Sequence, residues 1–147
     1  MEHNQIRVVL LEDSEDIRNI LHEVLDMRGY EIYSFETPVI CPLQLKPDCR
    51  CEENERCVDV IITDFYMPLI NGLEFIENQK IKGCKAPYVA MMSGGWEEEG
   101  LLRAKELGCK IFYKPFNLKD INEWLDEVEK NINLERELKD WFKEPLE

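Results

Sequence analysis

The chain has 147 residues, a length that fits one domain, and its 44% apolar content is enough for a single core. A net charge of −13 argues against direct binding to nucleic acid or to anionic membranes, because their phosphates repel an acidic surface. No apolar run approaches the ~20 residues of a membrane-spanning helix, and Met1-Glu2-His3-Asn4-Gln5 lacks the basic-then-apolar pattern of a secretory signal, so a cytoplasmic location is expected.

Ile6 to Leu11 is a short run apolar on both faces, which predicts a buried parallel strand bounded by Glu12-Asp13-Ser14. Ile17, Ile20, Leu21, Val24 and Leu25 then fall at helical spacing, with Ser14, Glu15 and Asp16 suited to the first turn and Gly29 to the end. Tyr30 to Phe35 reads as a second strand. Val58 to Thr63 reads as a third, ending at Asp64 and broken by Met67-Pro68. Asn71 and Gly72 open a short helix carrying Leu73, Phe75 and Ile76. Tyr88 to Met92 is a fourth strand that ends at Ser93-Gly94-Gly95. A helix with Leu101, Leu102, Ala104 and Leu107 closes at Gly108, Ile111 to Tyr113 is a fifth strand ending at Lys114-Pro115, and a long helix starts near Asn117. Strands alternating with helices imply an α/β domain with a doubly wound, five-stranded parallel sheet. The stretch 37–57 breaks this rhythm, with Pro38, Pro42, Pro47 and four cysteines where a helix is expected.

Ligands of an open parallel sheet bind at the carboxyl ends of its strands. The polar residues there are Glu12 and Asp13, Asp64, Ser93 and Lys114. Three carboxylates held at one edge repel one another and call for a cation. Oxygen ligands suit Mg²⁺, which takes one or two protein carboxylates and phosphate oxygens. One carboxylate can act as a nucleophile and form an aspartyl phosphate. Mg²⁺ and the Lys114 ammonium would neutralise charge, and Ser93 would donate a hydrogen bond. Any one acidic residue at a strand end is more simply a solvated turn residue; five suitable residues at four strand ends are not.

Val8-Val9-Leu10-Leu11-Glu12-Asp13, Ile61-Ile62-Thr63-Asp64-Phe65-Tyr66-Met67-Pro68 with Gly72, Met92-Ser93-Gly94, and Tyr113-Lys114-Pro115-Phe116 together resemble the receiver domains of two-component response regulators, over about residues 6 to 130. The resemblance implies a flavodoxin-like fold with strand order 2-1-3-4-5. It implies phosphorylation of Asp64 by a histidine kinase or phosphotransfer protein, followed by slow loss of the phosphate to water. It further implies that Asp13, Asp64 and the backbone carbonyl of Tyr66 bind Mg²⁺, that Glu12 acts largely through water, and that Ser93 and Lys114 hold the phosphoryl oxygens. Receivers usually carry a Tyr or Phe three residues before the lysine, and Ile111 stands there in this chain. Phe112 and Tyr113 should point elsewhere, since strand side chains alternate.

Cys41, Cys49, Cys51 and Cys57 are separated by seven, one and five residues. Cytosolic cysteine clusters more often bind metal or serve redox chemistry than form structural disulfides. Tetrahedral Zn²⁺ is the first expectation, with an iron–sulfur cluster, a redox pair or an unliganded loop as alternatives. Cys84 and Cys109 stand apart and carry no expected role, and His3 and His22 read as structural. Residues 131–147 are expected to form a helical extension, with Leu134, Leu138, Trp141 and Phe142 on one face, either packed back on the domain or serving a partner or a second copy.

The leading reading is a stand-alone receiver that catalyses its own phosphorylation and signals by protein contacts to a downstream partner. The alternative is a receiver-like metal or redox sensor acting through the cysteine loop. An independent Mg²⁺ phosphatase is a third reading, disfavoured because no separate acid/base residue is present.

Overall fold

The computed structural model describes residues 5–140. Five parallel strands form the main sheet: β1 (Arg7–Leu11), β2 (Glu31–Phe35), β4 (Val60–Asp64), β5 (Tyr88–Ser93) and β6 (Lys110–Tyr113). Their spatial order is β2-β1-β4-β5-β6, which is the expected 2-1-3-4-5 when only these five are numbered. A two-stranded parallel pair, β3 (Glu55–Arg56) with β7 (Glu137–Leu138), stands apart from it.

The strands are apolar on both faces because both are covered. Val8, Leu10, Val60, Ile62, Ala90 and Met92 pack against Leu21 and Leu25 of α1 (Glu15–Asp26) and Ile121, Leu125 and Val128 of α5 (Leu118–Asn131). Val9, Leu11, Ile61 and Met91 face the other way, toward Phe75 and Ile76 of α3 (Gly72–Ile81) and Ala104 of α4 (Glu98–Glu106). This period-two alternation of one continuous apolar run distinguishes a doubly covered parallel strand from an amphipathic one.

Local chemistry starts and stops the helices where the sequence indicates. The Ser14 hydroxyl accepts from the Ile17 N–H at 3.4 Å and caps α1. Asn71 and Glu74 form a reciprocal capping box on α3, and Asn117 caps α5. Gly108, at φ +83°, provides the left-handed turn after α4.

The stretch after β2 forms a 3₁₀ turn (Pro38–Ile40) and one turn of helix, α2 (Pro42–Leu45), before it becomes irregular. No helix of normal length forms there, as the prolines and cysteines indicate.

The expected C-terminal helix is corrected over its described part. After Asn131 the chain leaves the helical conformation, and Glu137–Leu138 pairs as a strand with Glu55–Arg56. Buried charge accounts for this. Asp59 is fully buried inside the apolar segment that leads into β4, and Arg136 reaches it with bonds of 2.9 and 2.6 Å. Arg56 also lies 2.8 Å from Asp59, but the bidentate Arg136 pair adds buried charge-assisted bonds that a continued helix would forgo, and it outweighs the helical spacing of Leu134 and Leu138. Arg7 reinforces the clasp through the Lys139 carbonyl at 3.0 Å and Asp140 at 2.8 Å. Trp141 and Phe142, like His3, lie outside the described residues.

Candidate functional site

Strand register brings the chemistry to one edge. Leu11 pairs with Thr63, Asp64 with Met92, and Ser93 with Tyr113. The residues just beyond these pairs, Glu12, Asp13 and Lys114, therefore meet Asp64 and Ser93 at the carboxyl end of the sheet.

Ligand oxygens of Glu12, Asp13 and Asp64 lie within 4.8 Å of one another, and among the described residues they are the only acidic, histidine or cysteine trio to do so. Glu12 and Asp64 are buried, whereas Asp13 is exposed. Glu12 is fixed from several sides. Its carboxylate accepts the Ser14 N–H at 3.0 Å, its Oε1 accepts from Lys114 Nζ at 2.8 Å, and its backbone carbonyl accepts from Arg18 at 2.8 Å. The same Lys114 Nζ lies 2.9 Å from Asp64 Oδ1.

Burial pushes the Asp64 carboxyl up to about 7; the Lys114 hydrogen bond pulls the other way, and the negative charge of Glu12 adds to the rise. Burial alone would discharge Lys114, but its hydrogen bonds to Glu12 and Asp64 outweigh that and hold it above its ordinary range. The site is thus anion-rich around a single ammonium, a charge balance that favours an added cation.

The loops around Asp64 are tightly built. The Phe65 N–H donates to the Met92 carbonyl at 2.7 Å and the Gly72 N–H to the Phe65 carbonyl at 2.8 Å. A Cβ on Gly72 would sit 2.1 Å from the Asp64 carbonyl oxygen, so only glycine allows this approach. Ser93 is buried, and its hydroxyl accepts from the Gly95 N–H at 3.1 Å. Tyr66 lies two residues past Asp64 on the following loop, and its hydroxyl donates to the Gly95 carbonyl at 3.1 Å. Phe65 meets Tyr66 and Trp96 edge to face, with ring centroids 4.7 and 5.0 Å away. Trp96 Nε1 in turn donates to the Phe112 carbonyl at 3.3 Å. This aromatic bridge between the loops after β4 and β5 was not singled out from sequence; its signal is the run Phe65-Tyr66 beside one acidic strand end and Trp96 beside another.

Ile111 is half-buried on the α3–α4 side, Phe112 is buried on the opposite face, and Tyr113 is exposed. Neither aromatic neighbour replaces the side chain at 111.

The cysteine set expected from sequence is not assembled as such. The groups acting on Cys41 are the N–H groups of Leu43 and Gln44 and the Lys82 ammonium rather than another thiol. Cys49, Cys51, Cys57 and Cys84 influence one another electrostatically, but no three of their sulfurs lie within 4.8 Å of one another. Cys41 is drawn away because α2 starts at Pro42 and carries it, fully buried, into the core beside Leu43. All six cysteines are free thiols.

Among the described residues no helix is long and apolar enough to cross a membrane. The family model for the response regulator receiver domain matches residues 8–126. The phosphate regulon transcriptional regulatory protein PhoB of Escherichia coli (strain K12) is 28% identical over 117 residues, covering 78% of this chain and 48% of that protein. A protein-glutamate methylesterase/protein-glutamine glutaminase of Ralstonia nicotianae is 31% identical over 139 residues, covering 89% of this chain and 34% of that protein. The chain therefore spans half or less of the length of these curated relatives. Among solved structures, the Vibrio cholerae chemotaxis protein CheY4 superposes with a TM-score of 0.66 at 25% identity, covering 84% of this chain and 98% of that one. The non-phosphorylated HemR receiver domain of Leptospira biflexa superposes at 0.72 with 24% identity, covering 88% and 98%, and supports the fold. With most of its length matched by the family model and its sheet in the same order, the chain belongs to the response regulator receiver domain family.

Proposed function

We propose that the chain accepts a phosphoryl group on Asp64 from the phosphohistidine of a histidine kinase or phosphotransfer protein. The observation that carries this reading is the position of Lys114 between Asp64 and Glu12, with Asp13 completing the acidic trio. An Asp64 oxygen forms the new bond to phosphorus as the donor's P–N bond breaks, and the imidazole nitrogen keeps the bonding pair and takes up a proton. Lys114 then leaves its carboxylate contact with Asp64 for a phosphoryl oxygen, and the Ser93 hydroxyl donates to another.

Asp13 and Asp64 would hold a hard divalent cation, with the Tyr66 backbone carbonyl as the further ligand that the resemblance to receivers implies and Glu12 close beside them. Mg²⁺ held there would supply positive charge against the oxygens of the transferring group. The chain thereby catalyses its own phosphorylation and slow dephosphorylation, and it signals through contacts with a downstream protein.

Intact-mass measurement after incubation with Mg²⁺ and acetyl phosphate tests this reading. A gain of one phosphate that requires the divalent ion supports it, and an unmodified but folded protein counts against it.

A further inference from the structure

Cys49, Cys51 and Cys57 are close in sequence, and the fold brings the distant Cys84 to them in place of Cys41. Cys51 acts on both the Cys49 and the Cys57 thiol, and Cys84 lies within the same electrostatic neighbourhood. All four belong to the apolar cluster on the α3–α4 face, with Cys51 and Cys57 buried and Cys49 and Cys84 half-buried. Cys49 and Cys51 come from the irregular loop, Cys57 from the end of β3, and Cys84 from the turn between α3 and β5. The Cys49 N–H is anchored to the Lys82 carbonyl at 3.3 Å, which ties the loop to that turn.

Backbone donors already aim at the sulfurs. The Ala86 N–H donates to Cys84 Sγ at 3.5 Å, and the backbone of Cys51 and of Lys85 favours the charged form of Cys49. A neutral thiol needs no such donors, whereas a metal-bound thiolate gains from each of them. Lys80 and Lys82 stand near Cys84, so two ammonium groups flank the negative charge that four thiolates and one divalent ion would carry.

We infer that Cys49, Cys51, Cys57 and Cys84 form a tetrathiolate site for Zn²⁺ that staples the irregular loop to the α3–β5 turn. Sulfur ligands exclude Mg²⁺ and Ca²⁺ and favour a soft or borderline ion. In the free-thiol form no three of these sulfurs lie within 4.8 Å of one another. Metal binding therefore draws them inward, to Zn–S distances of about 2.3 Å, and releases the thiol protons. The metal supplies cohesion where a full-length second helix would otherwise pack. Cys41 and Cys109 take no part. The site is independent of phosphoryl acceptance at Asp64, so either can fail without the other.

The test uses the full chain purified under reducing conditions from zinc-supplemented medium. Elemental analysis should find about one zinc per chain in the wild type and in Cys41→Ser, and little in Cys84→Ser. Co²⁺ added to metal-stripped wild type should give the intense visible bands of a tetrahedral thiolate site, and these should weaken and shift in Cys84→Ser. The Co²⁺ spectrum of the wild type keeps the test valid if a variant folds poorly. Substoichiometric zinc in the wild type, iron with sulfide in its place, or metal lost in Cys41→Ser but kept in Cys84→Ser would overturn the assignment.

Discussion

Lys114 Nζ lies 2.9 Å from Asp64 Oδ1 and 2.8 Å from Glu12 Oε1, so one ammonium holds together two buried carboxylates that otherwise repel. Lys114→Ala removes that charge and leaves the pair uncompensated. Without divalent ion, the variant should lose about 1–3 kcal/mol of stability, the usual cost of stripping a partner from a buried charged group. Added Mg²⁺ should restore part of the loss, because it also neutralises the carboxylates. Denaturant melts with and without Mg²⁺ measure both effects, and a variant as stable as wild type in chelator contradicts this account.

The Asp64 carboxyl, raised to about 7, predicts a specific pH dependence for the metal-free protein. Its folded pKa exceeds the unfolded value of about 3.9, so the folded state binds more protons between those limits. The contribution of Asp64 to stability is therefore fully present below about pH 4 and is lost as pH rises through about 7. Asp64→Asn removes the titration. In chelator its melting temperature should exceed that of wild type by a few degrees at pH 8, on the order of 1 kcal/mol, and the gap should shrink toward pH 4. A gap that widens on acidification shows the opposite sign and refutes the assignment.

Trp96 touches Phe65, the residue after Asp64, and donates to the Phe112 backbone. With Ile111 where receivers usually carry an aromatic, this bridge is the aromatic connection between the acidic edge and β6. Mg²⁺ or beryllofluoride binding should change tryptophan emission, and Trp96→Phe should abolish most of the change while Trp124→Phe keeps it. Trp124 packs on Phe112 on the opposite face, with centroids 5.9 Å apart. An unaltered response in Trp96→Phe removes the bridge from the account.

Arg136 and Asp59 form a buried bidentate pair, with Arg56 also 2.8 Å from Asp59. Arg136→Ala should cost about 1–3 kcal/mol, less than for a fully stripped buried charge because Arg56 still pairs with Asp59. It should also release the β3–β7 pair. Faster amide exchange at Glu137 and Lys139, whose N–H groups bond to Asn54 and Arg56, would report the release. Unchanged protection there would show that the tail is held by something else.

The sheet was legible because each strand is a short apolar run closed by turn residues, and the acidic site because its members sit at those closures. Glu12, Asp64 and Lys114 could be placed together from strand order alone. The tail was not legible in this way. Leu134 and Leu138 have helical spacing, yet Arg136 between them is bound to Asp59 far upstream, and local periodicity carries no trace of that pairing. Asp59, an acid flanked by Val58 and Val60, was the available sign that cations must reach into the core, and the fold supplies one locally from Arg56 and one from far downstream as Arg136. Cys84 was passed over for a related reason: the loop of Cys49 is tied to the turn after α3 by a tertiary bond to the Lys82 carbonyl, and nothing near Cys84 in sequence marks that proximity.

The most direct measurement is site-resolved phosphorylation of the full chain. Wild type, Asp64→Asn and Asp13→Asn are each incubated with acetyl phosphate, with Mg²⁺ or with chelator, and read by intact mass and peptide mapping. The account predicts one phosphate on wild type, dependent on Mg²⁺ and mapped to Asp64. It predicts none on Asp64→Asn and strongly reduced incorporation on Asp13→Asn. Phosphate retained in Asp64→Asn, or incorporated equally well in chelator, would contradict it.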